Sequence, residues 1–237
     1  MEAKRSRLAI IPARGGSKRI AEKNIRPFAG VPILHRTIQL AESSGLFDAI
    51  EVSTDSQKIA QVAAVAGRRP ASLRPAELAT DEVGLADVIA FEVERCERDG
   101  RRFDELWMIL ACAPLIVASD LVHAANLLSD SRQDVAVISV CEYPVPIEWA
   151  LRVDHNGELS ASSPEAAALP AHELPRALHD AGGFIGYHWG AARDVVANLR
   201  QQRFRGCELP WWRSVDIDTE SDWAAAEALF ASLNLER

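Results

Sequence analysis

The sequence predicts an α/β fold in which helices cover both faces of a doubly wound, mostly parallel sheet. Two observations point to it: short apolar segments recur along the chain, and segments with apolar residues at helical spacing separate them. Alternation of this kind indicates βαβ units. A length of 237 residues suits one domain and no linker is long enough to divide it, so we predict a single domain over residues 1–237.

Four apolar segments before residue 142 are predicted strands: Leu8–Ala13, Ala49–Ser53, Leu106–Ala111 and Val135–Cys141. Spacing and end signals predict the intervening helices, at Pro32–Ser44, Lys58–Ala66 and Gly84–Arg98, and from a cap at Ser119 or Asp120 to Leu128. Ligands of parallel sheets bind beyond the carboxyl ends of the strands. We therefore expect residues 14–23, 54–55 and 112–114 to share one edge of the sheet.

The pattern changes after Cys141, where we predict a small excursion from the sheet over about residues 142–182. Within it, the Asn156-Gly157 step favours a tight type I′ turn between two short strands, Trp149–Val153 and Glu158–Ser160. Residues 160–175 are rich in Ala, Ser and Pro, and form either a flexible loop or an arm that orders against a partner subunit. The predicted elements that follow are a strand at Gly183–Trp189, a helix at Ala191–Arg200, and a helix at Glu220–Leu233 capped by Thr219.

Composition excludes several classes of protein. No run of about 18 apolar residues predicts a membrane span, and residues 8–13 are too short for the core of a signal peptide, so we expect a cytoplasmic protein. A formal net charge of −8 argues against nucleic acid as a partner, because neutralising phosphates requires a basic surface. The four cysteines lack metal-ligand or redox spacing and are expected to be buried thiols.

Positive charge is nevertheless concentrated after the first predicted strand, in residues 14–26. Gly15 and Gly16 let the backbone approach an anion closely, and Arg14 and Lys18 add charge-assisted contacts to it. The segment matches neither the P-loop pattern nor G-x-G-x-x-G. On its own it is either a solvated basic turn or a phosphate-binding loop.

A longer string resolves this choice. From Ile11 to Leu34 the chain resembles the N-terminal signature of the acylneuraminate cytidylyltransferase family, whose A-R-x-x-S-K-x-x-x-x-K-N spacing is present in full at residues 13–24. Residues 73–81 are similar to the family's L-R-P-x-x-L-x-x-D segment, and residues 216–219 to its D-I-D-T motif. The resemblance covers about Leu8 to Leu233 and implies a Rossmann-like nucleotidyltransferase that activates an acidic nine-carbon sugar with CTP.

Two other segments resemble the branch of this family that acts on pseudaminic acid. Residues 111–114 read Ala-Cys-Ala-Pro where sialate enzymes usually have a glutamine-containing loop, and residues 179–182 read His-Asp-Ala-Gly. Sialic, legionaminic and octulosonic acids stay open as alternative acceptors. An alternative of another class is a nucleotide-binding regulator without turnover. A sugar-phosphate nucleotidyltransferase is less consistent, because its G-x-G-T-R loop is absent.

The resemblance also implies the roles of individual residues. Arg14, Lys18 and Asp218 are the expected catalytic residues, and a homodimer is the expected assembly. The expected nucleotide-binding residues are Ala13, Arg14, Gly15, Gly16, Ser17, Lys18, Lys23, Asn24 and Arg74, with Asn24 and Arg74 on the cytosine and ribose side. The expected sugar-binding residues are Ala111, Cys112, Ala113, His179 and Asp180.

Asp216 and Asp218 are candidate ligands for Mg²⁺. Carboxylates at positions i and i+2 of an extended segment point to the same side, and Mg²⁺ is typically held by one or two carboxylates together with substrate phosphates. The alternative is that Asp218 or Thr219 caps the helix that follows. The phosphate loop and Arg74 favour the metal site, with Asp218 as the first choice.

Overall fold

The computed structural model describes residues 5–233, which contain ten strands and eight α-helices. The strands are β1 (Arg7–Pro12), β2 (Pro27–Phe28), β3 (Val31–Pro32), β4 (Ala49–Ser53), β5 (Glu105–Ile109), β6 (Val135–Glu142), β7 (Leu151–Val153), β8 (Leu159–Ala161), β9 (Leu178–His188) and β10 (Arg203–Glu208). The helices are α1 (Ile33–Ser43), α2 (Gln57–Val65), α3 (Leu85–Arg98), α4 (Ala118–Ser129), α5 (Pro164–Ala167), α6 (Trp189–Arg193), α7 (Val195–Asn198) and α8 (Glu220–Ser232).

Six of these strands form the central sheet, in the order β10-β6-β9-β5-β1-β4. All run parallel except β9, which pairs antiparallel with both β5 and β6. The predicted mostly parallel sheet is confirmed. Because β9 runs in the opposite direction, its first residues lie at the carboxyl edge of its neighbours, where Asp180 pairs with Val140 and His179 with Cys141.

Helices cover both faces of the sheet, as the doubly wound prediction requires. Alternate residues of β1 divide between two apolar clusters, with Ala9 and Ile11 in one and Leu8 and Ile10 in the other. The first cluster contains buried residues of α1, α2, α4 and α8, and the second contains those of α3, α6 and α7. Among the described residues, no helix is long and apolar enough to cross a membrane.

Helix caps were predicted with mixed success. Thr219 is the cap of α8, as expected, and its hydroxyl accepts a hydrogen bond from the Asp222 amide at 3.3 Å. The cap predicted for α4 was wrong, because the helix begins at Ala118 after Val117. Asp120 instead lies in the first turn, and its carboxylate accepts a hydrogen bond from the Val117 amide at 3.0 Å. A carboxylate at the third position of a helix satisfies the amide of the cap residue itself, which complements the amides that a cap side chain satisfies.

The second half of the chain differs more from its prediction. The returning strand begins at Leu178 rather than Gly183, because residues 178–180 pair with β6 beyond a β-bulge. The single helix predicted over residues 191–200 is divided at Asp194 into α6 and α7, followed by a 3-10 turn at Leu199–Gln201. The central strand β5 ends at Ile109, two residues before its predicted end at Ala111.

The hairpin of β7 and β8 exists, but its turn type was wrong. A type I′ turn needs positive φ at both central residues. Among the loop residues only Gly157 has it, at φ 84°. The Asp154 carboxylate accepts hydrogen bonds from the Asn156 and Glu158 amides at 2.8 and 2.9 Å, which stabilises a three-residue loop ending in a left-handed glycine.

Candidate active site

A cavity of about 320 Å³ lies beyond the carboxyl ends of β1 and β5, a volume within the range of small-molecule sites. Pro12 at the end of β1 and Leu110 after β5 contribute to its wall. The residues predicted to bind that also line it are Arg14, Ser17, Lys18, Lys23, Asn24, Arg74, Ala111, Cys112, Asp216 and Asp218. Residues separated by about two hundred positions in the sequence are therefore brought to one edge of the sheet.

The loop after β1 is tied to the end of β4. The Ala13 amide donates to the Ser53 carbonyl at 2.9 Å, and the Gly15 amide donates to the Asp55 carboxylate at 2.9 Å. A Cβ on Gly15 would lie 3.0 Å from that of Ser56, so a larger residue would crowd this close approach. Of the two glycines expected to cradle an anion, Gly15 thus uses its amide within the protein, whereas Gly16 has open space beside it.

Arg14 and Lys18 share one carboxylate. The Asp81 oxygens lie 2.8 Å from the Arg14 guanidinium and 2.5 Å from the Lys18 ammonium, and hydrogen bonds from Lys18 and Arg14 lower the pKa of Asp81. Sequence reasoning assigned Asp81 no role, although it ends the family-like L-R-P-x-x-L-x-x-D segment that contains Arg74. That fixed spacing was the available signal.

Asn24 is buried between the loop and the end of β5. Its side-chain amide donates to the Arg14 carbonyl at 2.8 Å, and its oxygen accepts from the Cys112 thiol at 3.3 Å. Both ends of the amide are therefore engaged within the protein. Direct contact between Asn24 and a nucleotide stays a prediction.

Arg74 places a buried guanidinium at the cavity wall. The residue is only 6% exposed, and its side chain donates to the Ser53 hydroxyl at 3.3 Å. Burial lowers its pKa, while the charges of Asp55 and Glu92 act in the opposite direction. Its Nε has no hydrogen-bond partner within the described residues. A buried donor without a partner is suited to a polar or anionic ligand.

Asp216 and Asp218 both reach the cavity, as their spacing predicted. Asp218 lies 2.9 Å from Arg19 and 3.3 Å from Lys23. Desolvation raises the pKa of Asp216, and the negative charge of Asp218 raises it further. The helix cap uses neither carboxylate, because Thr219 and Asp222 satisfy the first amides of α8.

The predicted sugar-binding residues fall into two groups. Ala111 and Cys112 line the cavity, but Ala113, His179 and Asp180 do not. The His179 ring packs against Tyr143, and the Asp180 carboxylate accepts from the Gly182 amide at 2.8 Å. Asp216 lies between the two groups. It borders the cavity, and it also packs against Gly182, near His179 and Asp180 in the sequence, since a Cβ on Gly182 would lie 2.8 Å from the Asp216 Cγ.

Comparisons with known proteins identify the family of the chain. Residues 8–97 match the family model described as Cytidylyltransferase. Pseudaminic acid cytidylyltransferase of Campylobacter jejuni subsp. jejuni is 29% identical, over 94% of this chain and 95% of the relative. CMP-N,N'-diacetyllegionaminic acid synthase of Legionella pneumophila subsp. pneumophila is 30% identical, over 97% of each.

The fold is also shared with solved structures. One is the structure of CMP:2-keto-3-deoxy-manno-octonic acid synthetase complexed with CTP, which has a TM-score of 0.72 and 18% sequence identity to this chain. The match covers 96% of this chain and 99% of the other. The legionaminic acid relative aligns along almost the whole of both chains. The chain belongs to the cytidylyltransferase family.

Proposed function

We propose that this enzyme transfers CMP from CTP to the anomeric hydroxyl of a nonulosonic acid, preferring pseudaminic acid, and releases pyrophosphate. One observation carries the proposal: a single cavity brings Arg14 and Lys18 together with the carboxylates of Asp216 and Asp218. Cations suit a triphosphate, and paired carboxylates suit a divalent cation. Membership of the cytidylyltransferase family supports CTP as the donor.

The chain's own residues account for nucleotide positioning and charge stabilisation. Arg14 and Lys18 bind the β- and γ-phosphates and neutralise the charge that develops as pyrophosphate leaves. The amide of Gly16, which makes no hydrogen bond within the described residues, is available to the same phosphates, whereas Gly15 holds the loop against Asp55. Arg74, which lines the cavity, binds the nucleoside side. With the donor so held, the sugar hydroxyl attacks the α-phosphate in line.

Asp216 and Asp218 fit a Mg²⁺ ion as the cofactor of this reaction. Burial and the repulsion between the two negative charges raise the pKa of Asp216, and the Asp216 carboxylate makes no hydrogen bond or ion pair within the described residues. No cluster of three or more potential ligand side chains occurs in residues 5–233, so the substrate phosphates complete the coordination. Bound there, Mg²⁺ supplies positive charge to the transferring phosphoryl group.

The choice of sugar rests on the site rather than on overall similarity, because relatives named for two different sugars have nearly equal identities of 29% and 30%. Ala111 and Cys112 present small side chains to the cavity, and the negative charge of Asp180 helps to raise the pKa of Asp216. These residues belong to the two segments that resemble the pseudaminic acid branch.

A panel of acidic sugars with CTP and Mg²⁺, scored by pyrophosphate release, tests the proposal. We expect turnover with pseudaminic acid to exceed turnover with sialic, legionaminic and octulosonic acids. A preference for one of these other sugars would overturn the proposed acceptor. Binding of CTP without pyrophosphate release from any of them would favour a non-catalytic regulator.

The excursion between β6 and β9 supports a homodimer as part of the same proposal. Large apolar side chains are exposed along it: Tyr143, Val145, Ile147, Trp149, Leu151, Val153, Leu159 and Leu169. Monomeric proteins rarely expose such a concentration of apolar surface. We propose that a second copy of the chain covers this surface.

All four cysteines are free, which supports a cytoplasmic location.

A further inference from the structure

We propose that the Cys112 thiol positions the phosphate-binding loop by orienting the side-chain amide of Asn24. The inference rests on the proposed function, because the loop is taken to hold the triphosphate. It gives Cys112 a role different from the sugar contact that the sequence suggested. The connection is a chain of two hydrogen bonds, from the residues after β5 to the loop after β1.

The direction of these bonds follows from chemistry. An Asn side chain has a donor end and an acceptor end, and only the donor end satisfies a carbonyl such as that of Arg14. The opposite end then requires a donor. Burial raises the pKa of the Cys112 thiol to about 12, and the charges of Asp216 and Asp218 also raise it. The thiol therefore stays protonated and donates a hydrogen bond to the Asn24 side-chain oxygen.

The connection matters because Arg14 carries both the carbonyl that Asn24 binds and the guanidinium proposed to contact the triphosphate. Asn24 and Cys112 are each only 7% exposed, so water does not readily replace either hydrogen bond. Without the thiol, the amide oxygen loses its partner among the described residues, and the bond to the Arg14 carbonyl alone then fixes the side chain. The amide can shift toward a new partner for its oxygen, and the loop shifts with it. Small displacements of a positioning group strongly affect phosphoryl transfer.

Calorimetric titration of CTP into four variants tests the inference. Cys112→Ala removes the donor, and we expect the Kd of CTP to rise about three- to tenfold. Cys112→Ser keeps a donor and should restore the native Kd within about twofold. Asn24→Asp preserves size but places an oxygen against the Arg14 carbonyl, so it should weaken CTP binding at least as much as Cys112→Ala.

Cys207→Ala is the matched control. Cys207 is also a buried thiol whose pKa burial raises to about 12, but it lies in β10, and its nearest acceptor is the Asp120 carbonyl at 3.8 Å. Its loss should lower the melting temperature as Cys112→Ala does, while the Kd of CTP stays native. An unchanged Kd in both Cys112→Ala and Asn24→Asp would overturn the inference, as would equal weakening in Cys112→Ala and Cys207→Ala.

A readout without nucleotide separates this inference from the proposed function. In the nucleotide-free protein, the side-chain amide protons of Asn24 should exchange slowly with solvent, and Cys112→Ala should accelerate that exchange while Cys112→Ser does not. If the native protein fails to bind CTP, the proposed function is wrong, and this exchange experiment alone decides the role of Cys112. Equal exchange rates in the native protein and Cys112→Ala would refute it.

Discussion

The loop after β1 and the excursion between β6 and β9 use their side chains in opposite ways. In the loop, Arg14 and Lys18 pair with Asp81, and Asn24 joins the loop to Cys112. In the excursion, apolar residues face solvent, and Leu151 is 59% exposed. The loop completes its interactions within the chain, whereas the excursion leaves apolar surface exposed.

This difference separates chemistry from assembly. Groups that stabilise a transition state act best when their positions are fixed before the substrate binds, and buried hydrogen bonds and ion pairs provide that order. An exposed apolar surface contributes nothing to stability until it is covered. Substitutions in the loop should therefore alter catalysis, and substitutions in the excursion should alter assembly.

The largest expected effect belongs to Arg14. Arg14→Ala removes a contact to the leaving pyrophosphate, and we expect kcat/KM to fall about a hundredfold or more. Arg152→Ala is the matched control, because it removes an arginine from β7 of the excursion. Pyrophosphate release from CTP measures both. Native activity in Arg14→Ala would show that the loop does not bind the triphosphate.

The next effect concerns the metal. Asp218→Ala removes one of two carboxylates proposed to hold Mg²⁺, so turnover should fall by on the order of a hundredfold and its dependence on Mg²⁺ concentration should be lost. Glu158→Ala removes a carboxylate from the excursion hairpin and should leave the Mg²⁺ titration native. An unchanged Mg²⁺ response in Asp218→Ala would mean that the pair does not hold the metal.

The excursion should respond through its assembly state. Leu151→Lys places a charge on the surface proposed to be buried between two copies, and we expect a dimer to become a monomer at micromolar concentration in analytical ultracentrifugation. The control is Val65→Lys, since Val65 is 82% exposed on α2, outside the excursion. A native protein that sediments as a monomer, or a Leu151→Lys variant that stays dimeric, would contradict the proposed interface.

The smallest expected effect is an increase in the affinity for CTP. Asp81 and the incoming triphosphate compete for Arg14 and Lys18. Asp81→Asn should therefore remove a competing charge and tighten CTP binding about two- to fivefold, as expected for an exposed ion pair. Glu82→Gln removes the same charge from the adjacent position and should have less effect. Weaker CTP binding in Asp81→Asn would instead make Asp81 part of the nucleotide site.

Much of the fold could be predicted because each buried strand is a continuous apolar segment and each helix has apolar residues on one face. The strands predicted at Leu8–Ala13 and Ala49–Ser53 were found within a residue of their true ends. The hairpin turn could not be predicted in detail, because the Asp154 side chain competed with the preference of the Asn156-Gly157 step. Local side-chain hydrogen bonds override turn statistics.

The candidate site was predictable where residues share a strand-end position and a charge. Arg14 and Lys18 were expected at one edge of the sheet from their strand-end position, Arg74 and Asp218 were expected to join them from the resemblance, and all line one cavity. The use of Asp81 was not expected, because its place at the end of the L-R-P-x-x-L-x-x-D segment does not indicate that it pairs with residues more than sixty positions away. The antiparallel course of β9 was equally hidden, since strand direction depends on which neighbours the strand pairs with.

The sequence by itself determined the alternation of strands and helices, the basic loop after the first strand, and the resemblance that names CTP, because these depend on composition, period and local order. Only the tertiary structure decided that Gly15 donates to Asp55, that Cys112 donates to Asn24, and that His179 and Asp180 reach the carboxyl edge. Contacts between distant segments depend on how strands pair and on which polar groups burial forces to find partners.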